Sequence, residues 1–505
     1  MNESNIIQLF ISSSKQHADS LALVHSDKAI NYNDLYAQVK QTANAYSKKG
    51  IQKGDKVLVF VPMCIDLYRI VLALFYIGAC PVFLDEWVSI GRLKKCCEVV
   101  PCKALIAGNK LLFLSFFIKQ LRQIPVKLTP AATGINGDMA PAVVNGDDTA
   151  LVTFTTGTTG IPKAANRTHA FLHAQYEALV PLLNNYCTPS LVLLPIVVLI
   201  NLGLGKTTIL PPKGFIAKKP GTIPILAGAI TKNATEEIVG SPAVVHHLSK
   251  QPLHNSHIKR IITGGGAVFP DIADAIVTAF PGASCTVAYG STEAEPISHM
   301  DMRLLPGVPF MQLLTTGLPV GTIDSAISIA VIPFEDKPIP AIDKNAFQKL
   351  QLPDGTIGEI VVTGGHVLKS YINNTAAEAR QKIHVAGQTW HRTGDAGSLG
   401  ENGQVYFWGA CKEIIHFDNK VYYPLISCFV FKQLTGVKQA ALTLANNQLI
   451  LAIEADHRLS AAMLEPALSQ LSLNDARLVY IDHIPTDPRH HTKIDYDSLR
   501  KKMGC

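Results

Sequence analysis

Charged side chains are scarce in this sequence of 505 residues. Asp, Glu, Lys and Arg together make up 17% of it, below the roughly 25% that is usual for globular proteins. The 45 basic and 39 acidic residues leave a net charge of only +6, which excludes the dense basic surface of a nucleic-acid-binding protein. Hydrophobic residues reach 48%, so a disordered chain is excluded too and well-buried sheets are expected.

Cysteine pairs with C-x-x-C spacing and membrane-spanning runs are also missing. None of the ten cysteines forms a C-x-x-C pair, which excludes the common zinc sites and favours reduced thiols in a cytoplasmic protein. The N-terminus lacks the basic and apolar stretches of a signal peptide. The longest apolar run, residues 191–200, contains Pro195 and is about half a membrane span, so it predicts a buried strand and turn. No transmembrane segment is expected, whereas a mean hydropathy of +0.20 leaves peripheral membrane contact open.

Short apolar runs alternate with segments of helical periodicity. Residues 56–61 are β-rich, residues 64–77 have helical spacing that ends at Gly78, and residues 81–84 are strand-like again. This order predicts a βαβ unit with parallel strands. Similar strand-like runs recur at 104–107, 150–154, 191–194, 237–240, 259–263 and 284–289. The pattern predicts an α/β fold with more than one sheet.

The chain is long enough for two domains. Residues 351–408 contain short strands and turns, which predicts a β-rich piece that closes a large N-terminal domain over residues 1–408. We place a hinge at residues 409–412. Residues 413–505 are enough for a small, independent α+β domain.

A loop rich in threonine and glycine, TFTTGTTGIPKA, occupies residues 153–164. Glycines let backbone N–H groups approach an anion, while threonine hydroxyls add donors and Lys163 adds a positive charge. These features suit a bound phosphate, although a polar turn after a strand has the same composition. A second segment, GLGKTT at 203–208, has Ile200 where a Walker loop needs glycine, so we interpret it as a turn between strands.

The first of these loops resembles the phosphate loop of the adenylate-forming superfamily, which includes acyl-CoA synthetases, adenylation domains and luciferases. Four further motifs resemble those of the same superfamily and follow in its order. They are ITGGGA at 262–267, YGSTE at 289–293, WHRTGD at 390–395 and PTDPRHHTKID at 485–495. The resemblance covers nearly the whole chain and implies a large domain of several sheets with a small mobile C-terminal domain.

The resemblance implies that the chain activates an organic acid with ATP and Mg²⁺. Adenylation joins a carboxylate to the α-phosphorus and expels pyrophosphate, so the site must hold two anions together. Glu293 would be the Mg²⁺ ligand and Thr292 would donate to the α-phosphate. The remaining nucleotide-binding positions implied by the family are Thr155, Thr156, Gly157, Thr158, Thr159, Gly160 and Lys163 around the phosphates, Gly264, Gly265, Gly266 and Tyr289 near adenine, and Gly290 and Ser291 beside them.

Three more positions are assigned by the same resemblance. Asp395 would accept from both ribose hydroxyls, Lys493 would neutralise the transition state at the α-phosphorus, and Lys412 would be the hinge residue. Each has an ordinary alternative: Asp395 as a turn residue after glycine, and both lysines as solvated surface groups.

Several positions depart from the family pattern. Ala164 replaces a glycine, and Ala410 replaces the arginine that helps to hold the nucleotide, so affinity is either reduced or supplied by another basic group such as Arg392. Asn419 replaces a glycine in the small-domain loop, a change that asparagine tolerates at positive φ. The tail at 485–494 and the segment 288–297 are most similar to the olefin-biosynthesis branch, the β-lactone synthetases.

Three functions stay open from the sequence. Residues 195–205 contain no acidic partner for a substrate ammonium, which favours a hydrophobic acid over an amino acid. The first function is transfer of the activated acyl group to coenzyme A. The second is lactone formation, or loading of an acyl carrier protein, after the same adenylation step. The third is a degenerate protein that binds nucleotide without catalysis.

Overall fold

The computed structural model describes residues 4–84, 89–131, 137, 139–155, 162–184, 187–216, 219–253, 257–486 and 493–504. The helices are α1 Ile7–Gln16, α2 Tyr32–Lys48, α3 Ile65–Ile77, α4 Ile90–Val99, α5 Asn109–Leu114, α6 Lys119–Arg122, α7 His169–Leu183, α8 Pro195–Leu204, α9 Ile223–Lys232, α10 Pro242–Ser249, α11 Pro270–Ala279, α12 Phe310–Thr316, α13 Lys344–Leu350, α14 Thr375–Gln381, α15 Pro424–Lys432, α16 Ala461–Gln470 and α17 Tyr496–Met503.

The strands alternate with these helices as the apolar runs predicted. They are β1 Leu21–His25, β2 Lys28–Asn31, β3 Lys56–Phe60, β4 Cys80–Phe83, β5 Ala104–Ala107, β6 Val126–Leu128, β7 Thr149–Thr155, β8 Lys163–Thr168, β9 Ser190–Val192, β10 Thr208–Ile209, β11 Glu237–Gly240, β12 Arg260–Gly264, β13 Ser284–Ser291, β14 Ala294–Asp301, β15 Leu318–Ile323, β16 Ile327–Ile332, β17 Gly358–Gly364, β18 Tyr371–Ile372, β19 Lys382–Val385, β20 Gln388–Leu399, β21 Gln404–Ala410, β22 Ile415–Phe417, β23 Lys420–Tyr422, β24 Val437–Ala445, β25 Gln448–Ala455 and β26 Arg477–Tyr480.

Two large sheets form the N-terminal part of the molecule. The smaller one has the order β18-β8-β7-β4-β3-β5-β6, and its neighbours β4, β3, β5 and β6 run parallel. The larger one follows the order β16-β17-β20-β21-β15-β14-β13-β12-β11-β9-β10-β1-β2, with β19 added beside β20. The expected α/β fold with several sheets, and the β-rich piece at 351–408, are therefore confirmed.

The predicted βαβ unit has a clear local cause. Helix α3 is buried from Leu67 to Ile77 and ends at Gly78, whose φ of 76° closes the helix with a left-handed residue that glycine adopts without strain. The chain then returns as β4, which pairs parallel to β3 with Cys80 opposite Lys56.

The apolar run 191–200 was predicted only in part. Its first residues lie in β9, but the rest begins α8 at Pro195 instead of forming a turn. Proline is favoured in the first helical turn because its missing N–H has no partner there in any case. The GLGKTT segment forms the end of α8, with Gly205 at φ 74°, and leads into β10. The segment therefore follows a helix. A Walker loop lies before a helix, at its N-terminus, so the position of GLGKTT also differs from a Walker loop.

Residues after Ile415 have an apolar core of their own. Buried side chains from α15, β24, β25 and α16 pack together there, including Phe431, Leu442, Leu451 and Leu464. Aromatic contacts join this part to the large sheets: the Phe269 and Phe429 rings stack with centroids 4.1 Å apart, and the Trp408 and Tyr423 ring centroids are 4.7 Å apart. The domain limits at 408 and 413 stay a prediction.

Candidate active site

The threonine- and glycine-rich loop connects two antiparallel strands of the smaller sheet. Thr155 ends β7 and pairs with Lys163, the first residue of β8. Thr155 Oγ1 is buried and, within the described part of the chain, has no hydrogen-bond partner. Buried Ala164 lies in a regular strand, so its replacement of glycine causes no backbone strain. The expected phosphate-binding residues between these strands lie outside the described residues: Thr156, Gly157, Thr158, Thr159 and Gly160.

The glycine-rich turn lies at the carboxyl ends of two adjacent parallel strands. Gly264 ends β12 and pairs with Ala288 of β13, and a Cβ atom at Gly264 would meet the Ala288 carbonyl oxygen at 2.8 Å. Gly265 follows with a φ of 82°. Gly266 comes next, and Tyr289 stands one residue beyond Ala288. The motifs expected near adenine are thus neighbours at one edge of the larger sheet, where α/β folds bind ligands.

The YGSTE motif ends β13 and forms the turn into β14. Gly290 is required there because a Cβ atom would come within 2.8 Å of the Ala294 carbonyl oxygen. Ser291 Oγ accepts a hydrogen bond from the Glu293 N–H at 3.3 Å. The Thr292 carbonyl accepts one from Arg167 Nη2 at 3.0 Å. These contacts hold the turn so that the Glu293 side chain is buried.

Tyr371 contacts the Glu293 carboxylate, and the sequence motifs did not include this tyrosine. Its hydroxyl lies 3.0 Å from Glu293 Oε1 and 2.5 Å from Gln381 Oε1. Burial and the adjacent carboxylate raise the pKa of Tyr371, so the hydroxyl stays protonated and can donate.

Two lysines lie over the Tyr371 ring. Lys163 Nζ is 5.6 Å from the ring centroid and Lys382 Nζ is 5.2 Å from it, both within range of a cation–π interaction. Burial lowers the pKa of Lys163 and the Lys412 charge lowers it further, whereas the Glu293 carboxylate raises it. The Lys163 ammonium therefore lies in the same electrostatic environment as Glu293 and Lys412.

Lys382 is only 2% exposed and is a site residue that the motifs missed. It donates to the Leu368 carbonyl oxygen and lies 3.2 Å from His391 Nδ1. Burial lowers the pKa of Lys382 to about 7, and the Lys163 charge also lowers it, against the Glu293 carboxylate. Burial lowers the pKa of His391 well below its usual value. A neutral imidazole beside the lysine adds no second positive charge.

Asp395 is positioned by β20 and by Tyr289. The Tyr289 hydroxyl donates to Asp395 Oδ2 at 2.7 Å, and the Asp395 N–H donates to Thr393 Oγ1 at 3.0 Å. Burial raises the pKa of Asp395 to about 6, while the Tyr289 hydrogen bond and the Lys493 charge lower it. The Tyr289 hydroxyl thus links the adenine-side motif to the carboxylate predicted for the ribose.

Arg392 is not available to replace the missing arginine at Ala410. Its guanidinium is buried against Glu359, with Nε 2.8 Å and Nη2 2.5 Å from Oε2, and it also donates to backbone carbonyls. Glu359 Oε1 accepts from the Gly394 N–H at 3.2 Å. The alternative that Arg392 supplies nucleotide affinity is therefore wrong, because this charge is used to hold the turn before Asp395.

Lys412 and Lys493 add positive charge near the Asp395 and Glu413 carboxylates. Lys412 follows β21 in a short 3₁₀ turn, and Lys493 is exposed next to Ile494. Burial raises the pKa of Glu413, while the charges of Lys412 and Lys493 lower it. Lys493 acts on Asp395 as well, so the tail lysine and the two carboxylates lie near one another.

The metal ligand available at the site, one carboxylate, suits Mg²⁺ better than a structural metal ion that needs several protein ligands. Among the described residues no group of three or more His, Cys, Asp or Glu side chains could hold a metal ion. Glu293 alone would supply a single carboxylate. Mg²⁺ commonly binds one or two carboxylates and takes its other ligands from water and nucleotide phosphates.

The region expected to face the acid is apolar. Ile196 and Leu199 of α8 are half-buried, and the buried polar residue of that helix is Asn201, an amide. Val244, Val245 and Val287 are buried in the apolar core beside the larger sheet, so they serve packing.

Comparison with known proteins agrees with this geometry. The AMP-binding enzyme family matches residues 10–372. The olefin beta-lactone synthetase of Stenotrophomonas maltophilia is 26% identical over 82% of this chain and 78% of its own length, and that of Xanthomonas campestris is 25% identical over 94% and 90%. The O-succinylbenzoate coenzyme A synthetase of Bacillus subtilis, solved with AMP, has a TM-score of 0.80 at 19% identity and covers 97% of this chain and 98% of its own.

The chain therefore belongs to the AMP-binding enzyme family. It is an ATP-dependent acid ligase with the adenylate-forming fold, as the motifs predicted. In the described residues no helix is long and apolar enough to cross a membrane.

Proposed function

We propose that this protein activates a hydrophobic β-hydroxy acid as its adenylate and then closes it to a β-lactone. The observation that carries the adenylation step is the placement of two motif carboxylates: the Tyr289 hydroxyl donates to Asp395 at 2.7 Å, and Glu293 lies 3.0 Å from the Tyr371 hydroxyl, whose ring Lys163 covers. In the first step a carboxylate oxygen of the acid bonds to the α-phosphorus of ATP, and pyrophosphate leaves. In the second, the β-hydroxyl oxygen attacks the activated carbonyl carbon, and AMP and a proton are released.

The roles of the residues follow from charge and position. Asp395, oriented by Tyr289, would hold the ribose, and the lysines Lys163, Lys412 and Lys493 would spread the charge that builds on the phosphates. Glu293, oriented by Tyr371, would hold Mg²⁺. When bound, the ion would supply charge neutralisation for the departing pyrophosphate. A B. subtilis relative in fold was solved with ATP and a magnesium ion, which supports this assignment.

The hydrophobic character of the acid is supported by α8. An amino-acid substrate would need an acidic partner for its ammonium group, because an unpaired buried charge is costly. The described α8 segment offers apolar side chains and an amide.

The lactone-forming step is supported by the two β-lactone synthetase relatives, one of which matches 94% of this chain. The second candidate is transfer to coenzyme A, the activity named for the B. subtilis structure. Asn419 has a φ of 56°, so the left-handed backbone of the family's glycine is kept and this departure does not argue against a thiol acceptor. We keep cytoplasmic location and an acyl-carrier acceptor as predictions.

The deciding experiment uses matched acids with and without a β-hydroxyl. Pyrophosphate release is followed with decanoic acid and 3-hydroxydecanoic acid, each with and without coenzyme A, and the products are identified by mass spectrometry. We expect release that does not need coenzyme A, and a neutral product one water lighter than the hydroxy acid. An acyl-CoA product from both acids would favour the second candidate. No release with any of a wider panel of acids would favour a protein that only binds nucleotide.

A further inference from the structure

The positive charge of the chain is concentrated in one short stretch. Residues 89–130, here called the basic segment, contain eight lysines or arginines and one acidic residue, a net charge of +7. The other 463 residues contain 37 basic and 38 acidic residues. The weak overall charge of +6 therefore hides a local excess large enough to attract an anionic surface.

Four large apolar side chains project from the middle of this segment. Phe113 is 64% exposed, Leu114 47%, Phe116 59% and Phe117 73%, and together they are called the apolar turn. They end α5 and form the turn that leads to α6. Exposed large apolar residues normally occur singly, whereas four within five positions mark an interaction surface.

The residues that follow the apolar turn are buried against the rest of the protein. Ile118 and Leu121 are buried with Leu93 and Cys96 of α4 and Leu105 of β5. Ser115 Oγ donates to the Leu112 carbonyl oxygen at 2.6 Å. The exposed rings are therefore held outward by packing of their neighbours. The Phe113 and Phe117 rings contact edge to face with centroids 5.4 Å apart.

Basic residues flank the apolar turn in sequence, and one of them contacts it. Lys110, Lys119 and Arg122 lie in α5 and α6 and are exposed, and Lys127 Nζ is 5.7 Å from the Phe116 ring centroid. The acidic residue of the segment, Glu98, accepts a hydrogen bond from Gln120 Nε2 at 2.7 Å. Aromatic and aliphatic groups that point away from the protein, with a rim of Lys and Arg, suit the boundary between lipid headgroups and acyl chains.

We propose that the apolar turn inserts into an anionic phospholipid surface and that the basic segment holds it there. Four neighbouring apolar side chains that are 47–73% exposed can enter a deformable lipid layer directly, whereas a folded acidic protein would need a complementary groove to receive them. This proposal does not depend on which acid the active site takes.

The test is co-sedimentation of the full-length protein with vesicles. One set contains 30% phosphatidylglycerol in phosphatidylcholine, and the other contains phosphatidylcholine alone. We expect stronger binding to the anionic set, and weaker binding in high salt because salt screens the basic segment. Failure of the wild-type protein to sediment with anionic vesicles would overturn the proposal, and would leave an acidic protein as the partner to seek.

Two double variants separate the apolar and charge contributions. Phe116→Ser with Phe117→Ser should lower the partition coefficient by about tenfold or more, and Lys119→Glu with Arg122→Glu should lower it by at least about tenfold. The matched controls remove exposed apolar groups elsewhere, Leu304→Ser with Ile225→Ser, or reverse exposed charges elsewhere, Lys28→Glu with Lys349→Glu. Adenylation of a soluble acid and far-ultraviolet circular dichroism report whether each variant is folded. Equal losses in variants and controls would overturn the proposal.

Discussion

Lys206 and Lys382 are buried to a similar extent, at 6% and 2% exposure, but their surroundings differ. Lys206 Nζ contacts Glu237 Oε1 at 2.7 Å and the Leu183 carbonyl oxygen at 2.8 Å. Among the described residues Lys382 has no ion pair and faces a tyrosine ring, a histidine nitrogen and a carbonyl. A buried lysine with a carboxylate partner can stay charged for structure alone.

The difference separates a structural lysine from one that belongs to a site. Lys206 lies in the GLGKTT segment, which resembles a nucleotide loop in composition, yet its ammonium points into a closed ion pair. Lys382 lies outside every nucleotide motif, yet it shares the Tyr371 ring with Lys163 next to Glu293. The spacing of the segment, with Ile200 in place of a glycine, correctly excluded Lys206 from the site, but local composition gave no sign of Lys382, because it does not include the partners that the fold brings in.

A third lysine, Lys493, should give the largest effect on catalysis. Lys493→Ala removes a charge that acts on the reacting phosphate, so the rate of adenylate formation should fall by about 10²–10³-fold. ATP affinity should change little, because Asp395 and Lys163 remain. Single-turnover adenylate formation and equilibrium ATP binding measure the two quantities. A variant with an unchanged single-turnover rate would show that Lys493 has no part in the transition state.

Lys206→Met should destabilise the fold and leave the rate of adenylate formation almost unchanged. It would leave the buried Glu237 carboxylate with Arg260 Nε at 3.9 Å as its nearest cation, and loss of one partner of a buried ion pair costs about 3 kcal/mol. The urea concentration at the midpoint of unfolding should therefore fall, while the rate of adenylate formation per folded molecule stays within about twofold of wild type. Lys232→Met, which removes an exposed ion pair with Asp27, is the matched control and should shift the midpoint little. A large loss of activity in folded Lys206→Met would break the distinction between the two lysines.

Lys382→Met should change how stability depends on pH. Burial lowers the pKa of Lys382 from 10.5 to about 7, so between these values the unfolded chain binds a proton that the folded one has lost. The free energy of unfolding then rises with pH across this window, by at most about 1.4 kcal/mol per pH unit from this group. Methionine keeps an apolar side chain of similar length without the amine, so the free energy of unfolding of the variant should rise less steeply with pH. Urea midpoints at pH 7, 8, 9 and 10 measure it, and an equally steep rise in the variant would show that Lys382 is not its source.

The fold was predictable from the sequence because its elements have local causes, whereas the roles of the motif residues stay a prediction. Gly78 closes a helix, Gly264 allows two strands to approach, and the order of apolar runs gives the sheets. The run from Leu191 to Ile200 was harder, since continuous apolarity has no period that separates strand from helix. Arg392 was one alternative for the affinity lost at Ala410, but its partner Glu359 lies 33 residues away and no local signal joins them.

Lys382 and His391 had a signal that could have been used. The segment KIHVAGQTWH forms a hairpin in which Lys382 pairs directly with His391, and its turn residues Ala386 and Gly387 both have positive φ, at 47° and 87°. Two-residue hairpin turns need this backbone, and glycine there is a recognisable mark. Tyr371 had no such mark, because its contact with Glu293 spans 78 residues.

Tyr371→Phe should give the smallest effect and the finest distinction within the lysine-rich site. Phenylalanine keeps a ring beneath Lys163 and Lys382 but removes the hydroxyl that lies 3.0 Å from Glu293 Oε1. A lost hydrogen bond to a carboxylate that holds Mg²⁺ should raise the magnesium concentration needed for half-maximal rate by about three- to tenfold, because such bonds contribute about 1 kcal/mol. The rate at saturating magnesium should stay within about twofold. Tyr371→Leu, which also removes the ring, should lower that saturated rate as well, since both lysines then lose their cation–π partner. A fall in the saturated rate of Tyr371→Phe with no change in its magnesium dependence would mean that the hydroxyl acts on the substrate, and that Glu293 is oriented by its own turn alone.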